Sequence, residues 1–161
     1  MAKIERKFLA HMINATPGTE ADTYERLGDD LEEFSAEMNA NVEKTQNILG
    51  QTSIKITGYE KSGSVEPYYA EKGSKLFDFL QKIIDDDLTL DACKTDVVEV
   101  KLWEAASLDS TYPATKEEVY IEVASYGGDT TGYQIPFNVH YTGVKTKGTF
   151  NVSTKAFSPA V

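Results

Sequence analysis

From residue 133 to 142 the chain alternates without a break. Tyr133, Ile135, Phe137, Val139 and Tyr141 occupy the odd places, and Gln134, Pro136, Asn138, His140 and Thr142 the even ones. A period of two is the signature of an extended strand with one face on a core and the other in water. It also fixes register, because a slip of one residue would turn the whole apolar set outward. Any fold for this chain must place that strand in a sheet with something to cover it.

The same pattern recurs on both sides. Val98, Val100 and Leu102 alternate with Glu99, Lys101 and Trp103, and Val97 extends that run; Val119, Ile121 and Val123 alternate with Tyr120, Glu122 and Ala124. A last strand is expected around residues 147–155, with Phe150 and Val152 set against Thr149, Asn151 and Ser153. Earlier in the chain, residues 8–14 and 24–27 are expected to be extended. Residues 31–38 form a half-buried strand, Phe34, Ala36 and Met38 facing one way and Glu33, Ser35 and Glu37 the other. In 52–59, Ile54 and Ile56 are expected inward, with Ser53, Lys55 and Thr57 outward. One segment breaks the period: Leu76, Phe77, Leu80, Ile83 and Ile84 fall at helical spacing behind a possible cap at Ser74, predicting a helix over 74–87. Asp85, Asp86 and Asp87 crowd its end, where the helix dipole disfavours anions, and mark the stop. The fold class is therefore mainly β with one helix: a β-sandwich or barrel with the helix packed on it, in a single domain over 1–161.

Bulk properties narrow the function. The 161 residues suffice for one core. A net charge of −10, with scattered basic residues, argues against a nucleic-acid-binding domain and against an anionic membrane surface. The lone Cys93 allows no internal disulfide. No stretch reaches the roughly 18 apolar residues of a membrane span, and the charged start lacks a signal peptide's apolar run, so folding in a cytoplasm is expected.

Catalytic chemistry finds little to work with. The two histidines are His11 and His140, and His140 stands on the polar face of its strand. Cys93 and His140 would make a nucleophile and base only if brought together, and Cys93 reads better as a small buried filler. Two histidines and one cysteine cannot populate a typical structural zinc site. The acidic run Asp85, Asp86, Asp87, Asp91 and Asp96 invites a calcium reading, yet Leu90 stands where an EF-hand loop needs glycine. Glu117 with Glu118, and Glu32 with Glu33, are strand neighbours that point to opposite faces, so neither pair converges as glycosidase chemistry requires. No enzyme, cofactor or metal is expected.

Residues 27–70 read LGDDLEEFSAEMNANVEKTQNILGQTSIKITGYEKSGSVEPYYA, followed by the helix beginning GSKLFDFLQ. This order of polar opening, NILG loop, Pro-Tyr-Tyr strand and helix resembles the major tail tube proteins of long-tailed bacteriophages. The resemblance covers the first half in wording and the second half in architecture. It implies the tail-tube fold shared with contractile injection systems, in which subunits form six-fold rings that stack into a tube for genome ejection. Its partners would be further copies of the chain, then tape measure, baseplate or tip, and terminator proteins in the virion, with DNA passing through unbound and no membrane involved. Residues 39–52 match the family's extended inter-subunit loop, which points to Asn41, Val42, Glu43, Ile48, Leu49 and Gly50. The residues agree: Ile48 and Leu49 are an apolar pair on an otherwise polar connection, suited to docking elsewhere. A lumen that passes DNA without holding it should be polar, poor in Lys and Arg and free of stacking aromatics. Glu33, Ser35, Glu37, Asn138, His140 and Asn151 fit such a wall, whereas Lys55, Lys147 and Lys155 do not. Two other readings stay open. One is a monomeric β-sandwich binding module with Tyr68, Tyr69, Tyr126 and Tyr133 as an aromatic platform; the other is a different tail component, such as a terminator or a head–tail connector.

Overall fold

The computed structural model describes residues 1–19, 21–29 and 31–160. Twelve elements organise them: β1 (Leu9–Asn14), β2 (Tyr24–Arg26), β3 (Ala40–Gln46), β4 (Thr52–Tyr59), β5 (Ser62–Val65), α1 (Lys75–Asp86), β6 (Lys94–Lys101), β7 (Thr111–Val123), β8 (Gly127–Asp129), β9 (Gly132–Gln134), β10 (Phe137–Asn151) and β11 (Ala156–Pro159). Seven strands make one antiparallel sheet in the order β11-β10-β7-β6-β1-β2, with β5 on the free edge of β10 along Phe137–His140. The pairs β3–β4 and β8–β9 stand outside it.

Alternation along these strands feeds two cores, one on each face of the sheet. Ile13, Val97, Val119, Ile121, Phe137, Val139 and Tyr141 point to the first, where Leu76, Leu80 and Ile83 of α1 cover them. Burying such side chains contributes roughly 1.5–3 kcal/mol each. Met12, Val98, Val100, Ala114 and Phe150 point to the second, closed by Tyr24. The Tyr24 and Phe150 rings meet edge to face at 5.5 Å. In a flat sheet their strands would lie about 19 Å apart, four spacings of some 4.8 Å. The sheet is therefore curled into a half-barrel around the second core. At its edge β11 crowds β10 so closely that a Cβ on Gly148 would collide with the Ser158 carbonyl oxygen, which only glycine avoids.

The helix forms where its spacing predicts. Ser74 is the N-cap and its hydroxyl accepts from the Phe77 amide. The Glu25 carboxylate accepts from the Lys75 and Leu76 amides, satisfying donors a helix start leaves free. Asp87 ends the helix in the left-handed conformation, φ 48°.

Four strand expectations need correction. Residues 31–38 keep their alternation at Phe34 (buried) and at Glu33, Ser35 and Glu37 (exposed), but form no ladder strand beyond a single bridge from Glu37 to Ser62. The stretch from 133 is two strands, since Pro136 has no amide to donate and β10 begins only at Phe137. Residues 147–155 are the end of β10 and a turn before β11. Ile54 and Ile56 do not face inward; both are exposed.

Candidate assembly surfaces

Residues 39–52, expected to form an inter-subunit loop, are not a loop. Asn41, Val42 and Glu43 lie in β3, which pairs along its length with β4, so that residues 40–59 form a free-standing hairpin arm. β-branched and aromatic residues in β4 favour the extended state, and the turn is held by Asn47. Its side-chain oxygen accepts from the Leu49 and Gln51 amides at 2.9 and 3.0 Å, and Gly50 takes the left-handed conformation the reversal needs, φ 81°. This turn presents Ile48 and Leu49 at the tip, 103% and 76% exposed, so they do not tuck under their own domain.

Register gives the arm two unlike faces. Val42 opposes Ile56 and Lys44 opposes Ile54 on one side, while Glu43 opposes Lys55 and Thr45 opposes Ser53 on the other. Val42, Ile54 and Ile56 thus form an apolar stripe, all more than half exposed. An isolated two-stranded hairpin is marginal in water and needs a hydrophobic face packed on something.

The root, by contrast, is fastened. Asn39 donates to the Glu60 carbonyl (3.0 Å) and to Ser62 Oγ (3.2 Å). Lys61 Nζ reaches the buried Glu117 Oε1 at 2.5 Å, its own side chain largely covered, and lies 4.5 Å from the Tyr141 ring centroid. The second Glu117 oxygen accepts from the Gly143 amide in the bulge that interrupts the β7–β10 ladder. A buried pair of this kind is costly to break from one side. The nearby Glu99 carboxyl is held below its usual range chiefly by its hydrogen bond with His11.

The polar face comes together in part. The Glu37–Ser62 bridge and the Ser62–His140 and Ser64–Asn138 registers place Glu33, Ser35 and Glu37 beside β5 and hence beside Asn138 and His140. Glu122 ties this side together, accepting from Asn138 at 2.9 Å and lying 2.9 Å from His140 Nε2; those two hydrogen bonds hold its carboxyl low. Asn151 does not join them. It pairs with Thr111, on the opposite face of the sheet from Phe150, and its oxygen accepts from the Ser153 and Thr154 amides to shape the turn into β11. Lys147 shares that opposite face, Lys55 is on the arm and Lys155 is in the turn.

Residues weighed for chemistry have other work. Cys93 is buried, donates to the Leu88 carbonyl and has its thiol pushed up by desolvation, while His140 faces Glu122. Glu117 is buried against Lys61, and its neighbour Glu118 points the other way. The four tyrosines do not make a platform. Tyr68 stacks edge-on against Phe137, Tyr133 donates to Gln81 and packs on Phe77, Tyr69 bridges to Gln134, and Tyr126 stands apart, exposed. Sequence reasoning missed β3 because Asn41, Glu43, Lys44 and Gln46 look like loop; the alternation of β4 was the available signal that a partner strand must exist.

The fold is similar to that of the SPP1 tail tube, solved by solid-state NMR and cryo-electron microscopy. The TM-score is 0.63 at 13% identity, over 90% of this chain and 78% of that one. No family model and no curated protein matches the sequence. This chain thus has a tail-tube-like fold, mostly β with one helix on a curled half-barrel. Among the described residues, no helix is long and apolar enough to cross a membrane.

Proposed function

We propose that this chain is a tail tube subunit, a single structural domain that assembles with copies of itself into stacked rings. The observation that carries this reading is the arm: an amphipathic hairpin with an apolar tip, on a tail-tube-like body, with nothing among the described residues covering it. Apolar area of this kind on a soluble chain calls for a partner, and a self-assembling tube supplies one on every subunit. The tube would sit in a virion tail, joined to tape measure, tip or baseplate, and terminator proteins, and would conduct DNA on ejection. Glu33, Ser35, Glu37, Asn138 and His140 would line the lumen. Anionic and neutral groups there repel or ignore phosphate, whereas basic ones would bind it.

Negative-stain microscopy of the purified, concentrated protein tests the proposal. Hollow tubes of uniform width are expected. A particle that stays at the 17.8 kDa of one chain at every concentration, in micrographs and in size-exclusion chromatography, contradicts it.

A further inference from the structure

The arm needs a seat, and the body offers a groove whose character matches it. The groove runs between the C-terminal end of α1 and the end of β7, floored by Ile84, Leu88 and Val123 and flanked by Leu90 and Tyr126. Leu90 and Tyr126 are 82% and 65% exposed. Leu90 moreover holds φ at +56°, a conformation that favours Asn or Gly over leucine. Neither core packing nor local backbone preference calls for a leucine there. A side chain that helps neither its own fold nor its own backbone fits an interface.

Charge matches as well. Lys44 shares the arm's apolar face with Val42, Ile54 and Ile56. The groove carries a carboxylate at Asp87, which Asp85 and Asp86 directly precede in the chain, and no basic residue lines it among the described residues. Position agrees too. The chain enters β5 from the arm at Ser62, opposite His140, whereas the groove lies past Val123, opposite Phe137. Arm and groove are thus two different patches of the molecule, and two different patches that meet between copies build rings or open stacks.

We infer that this groove is the seat for the arm of a second copy of this chain. The inference rests on the reading that arms join subunits, and adds the surface that receives them. It is tested in a Cys93→Ala background carrying Ile54→Cys and Tyr126→Cys together, and in a mixture of the two single variants. Under mild oxidation the doubly substituted chain should give a ladder of covalent multimers, and the mixture covalent dimers only. Tubes in micrographs without either product overturn the groove and leave the arm reading standing. Failure of the unsubstituted chain to assemble at all overturns both. Should the cysteine pair itself block assembly, Leu90→Glu decides: a folded chain that no longer assembles supports the seat, and one that assembles like its parent overturns it.

Discussion

β6 and β4 are built alike, eight residues each with hydrophobic residues alternating with polar ones along part of the strand, and they end in opposite circumstances. In β6, Val97 is covered by one core and Val98 and Val100 by the other, so the strand is sandwiched. In β4, Ile54 and Ile56 are exposed, and among the described residues the strand pairs with β3 alone. The difference lies in the surroundings. Around β6 the sheet curls and α1 closes over it; around β4 the chain supplies one polar partner and a turn. Alternation says that a face is apolar, and leaves open whether the same molecule covers it. In the body the cover is intramolecular, and in the arm the proposed assembly would leave it to another copy.

The largest expected effect separates the two regions completely. Replacing Ile48 and Leu49 with Asp should abolish tubes in micrographs while leaving stability within about 0.5 kcal/mol, as for surface changes elsewhere. Tubes formed by this variant would remove the arm from the assembly. Next comes the joint between the regions. Glu117→Gln leaves the largely covered Lys61 charge without its partner and should cost up to about 3–5 kcal/mol in denaturant unfolding. The double change Lys61→Met with Glu117→Leu should recover most of that. A mild single effect would mean that water reaches the pair.

Inside the body, Leu80→Ala should cost about 2–5 kcal/mol by lost burial and a cavity, lowering Tm by roughly 4–20 °C for a chain of this size. Leu80 is fully buried under the sheet, so an unchanged Tm would contradict the packing of α1. The smallest effect per residue belongs to the polar face. Reversing Glu33 and Glu37 to Lys should leave tubes intact, since each new ion pair with DNA phosphate is worth about 1 kcal/mol or less at a solvated surface. Repeated in every subunit, those pairs should slow DNA ejection from particles, and the defect should ease as salt shortens the Debye length. Failed assembly would instead move both glutamates from the lumen to a subunit interface.

Much of the body was legible because its signals are periodic and local. The helix came out within a residue at each end, since its cap, its apolar spacing and its terminal aspartates all lie inside the segment. The β6, β7 and β10 faces followed from parity alone. What was hidden is non-local. Nothing near residue 40 announces that Asn41 and Glu43 will pair with Gly58 and Lys55. Ile54 and Ile56 read as core only where a single chain covers its own apolar faces. Asn151 carries the right chemistry for a polar wall, but its side is set by strand register with Thr111 and by its role in the turn. The groove beside α1 joins residues nearly forty apart in sequence, and no periodicity connects them.

Hydrogen exchange on the assembled and unassembled protein tests most directly whether the arm is covered by another copy. Amides in β7 and β10 should be protected in both states, because opening them requires global unfolding. Amides in β3 and β4 should exchange quickly in the free chain, as expected of an unsupported hairpin, and become as slow as those of β10 once tubes form. Arm amides that exchange equally fast in both states would contradict the account, because an arm seated on a neighbour cannot stay open to water.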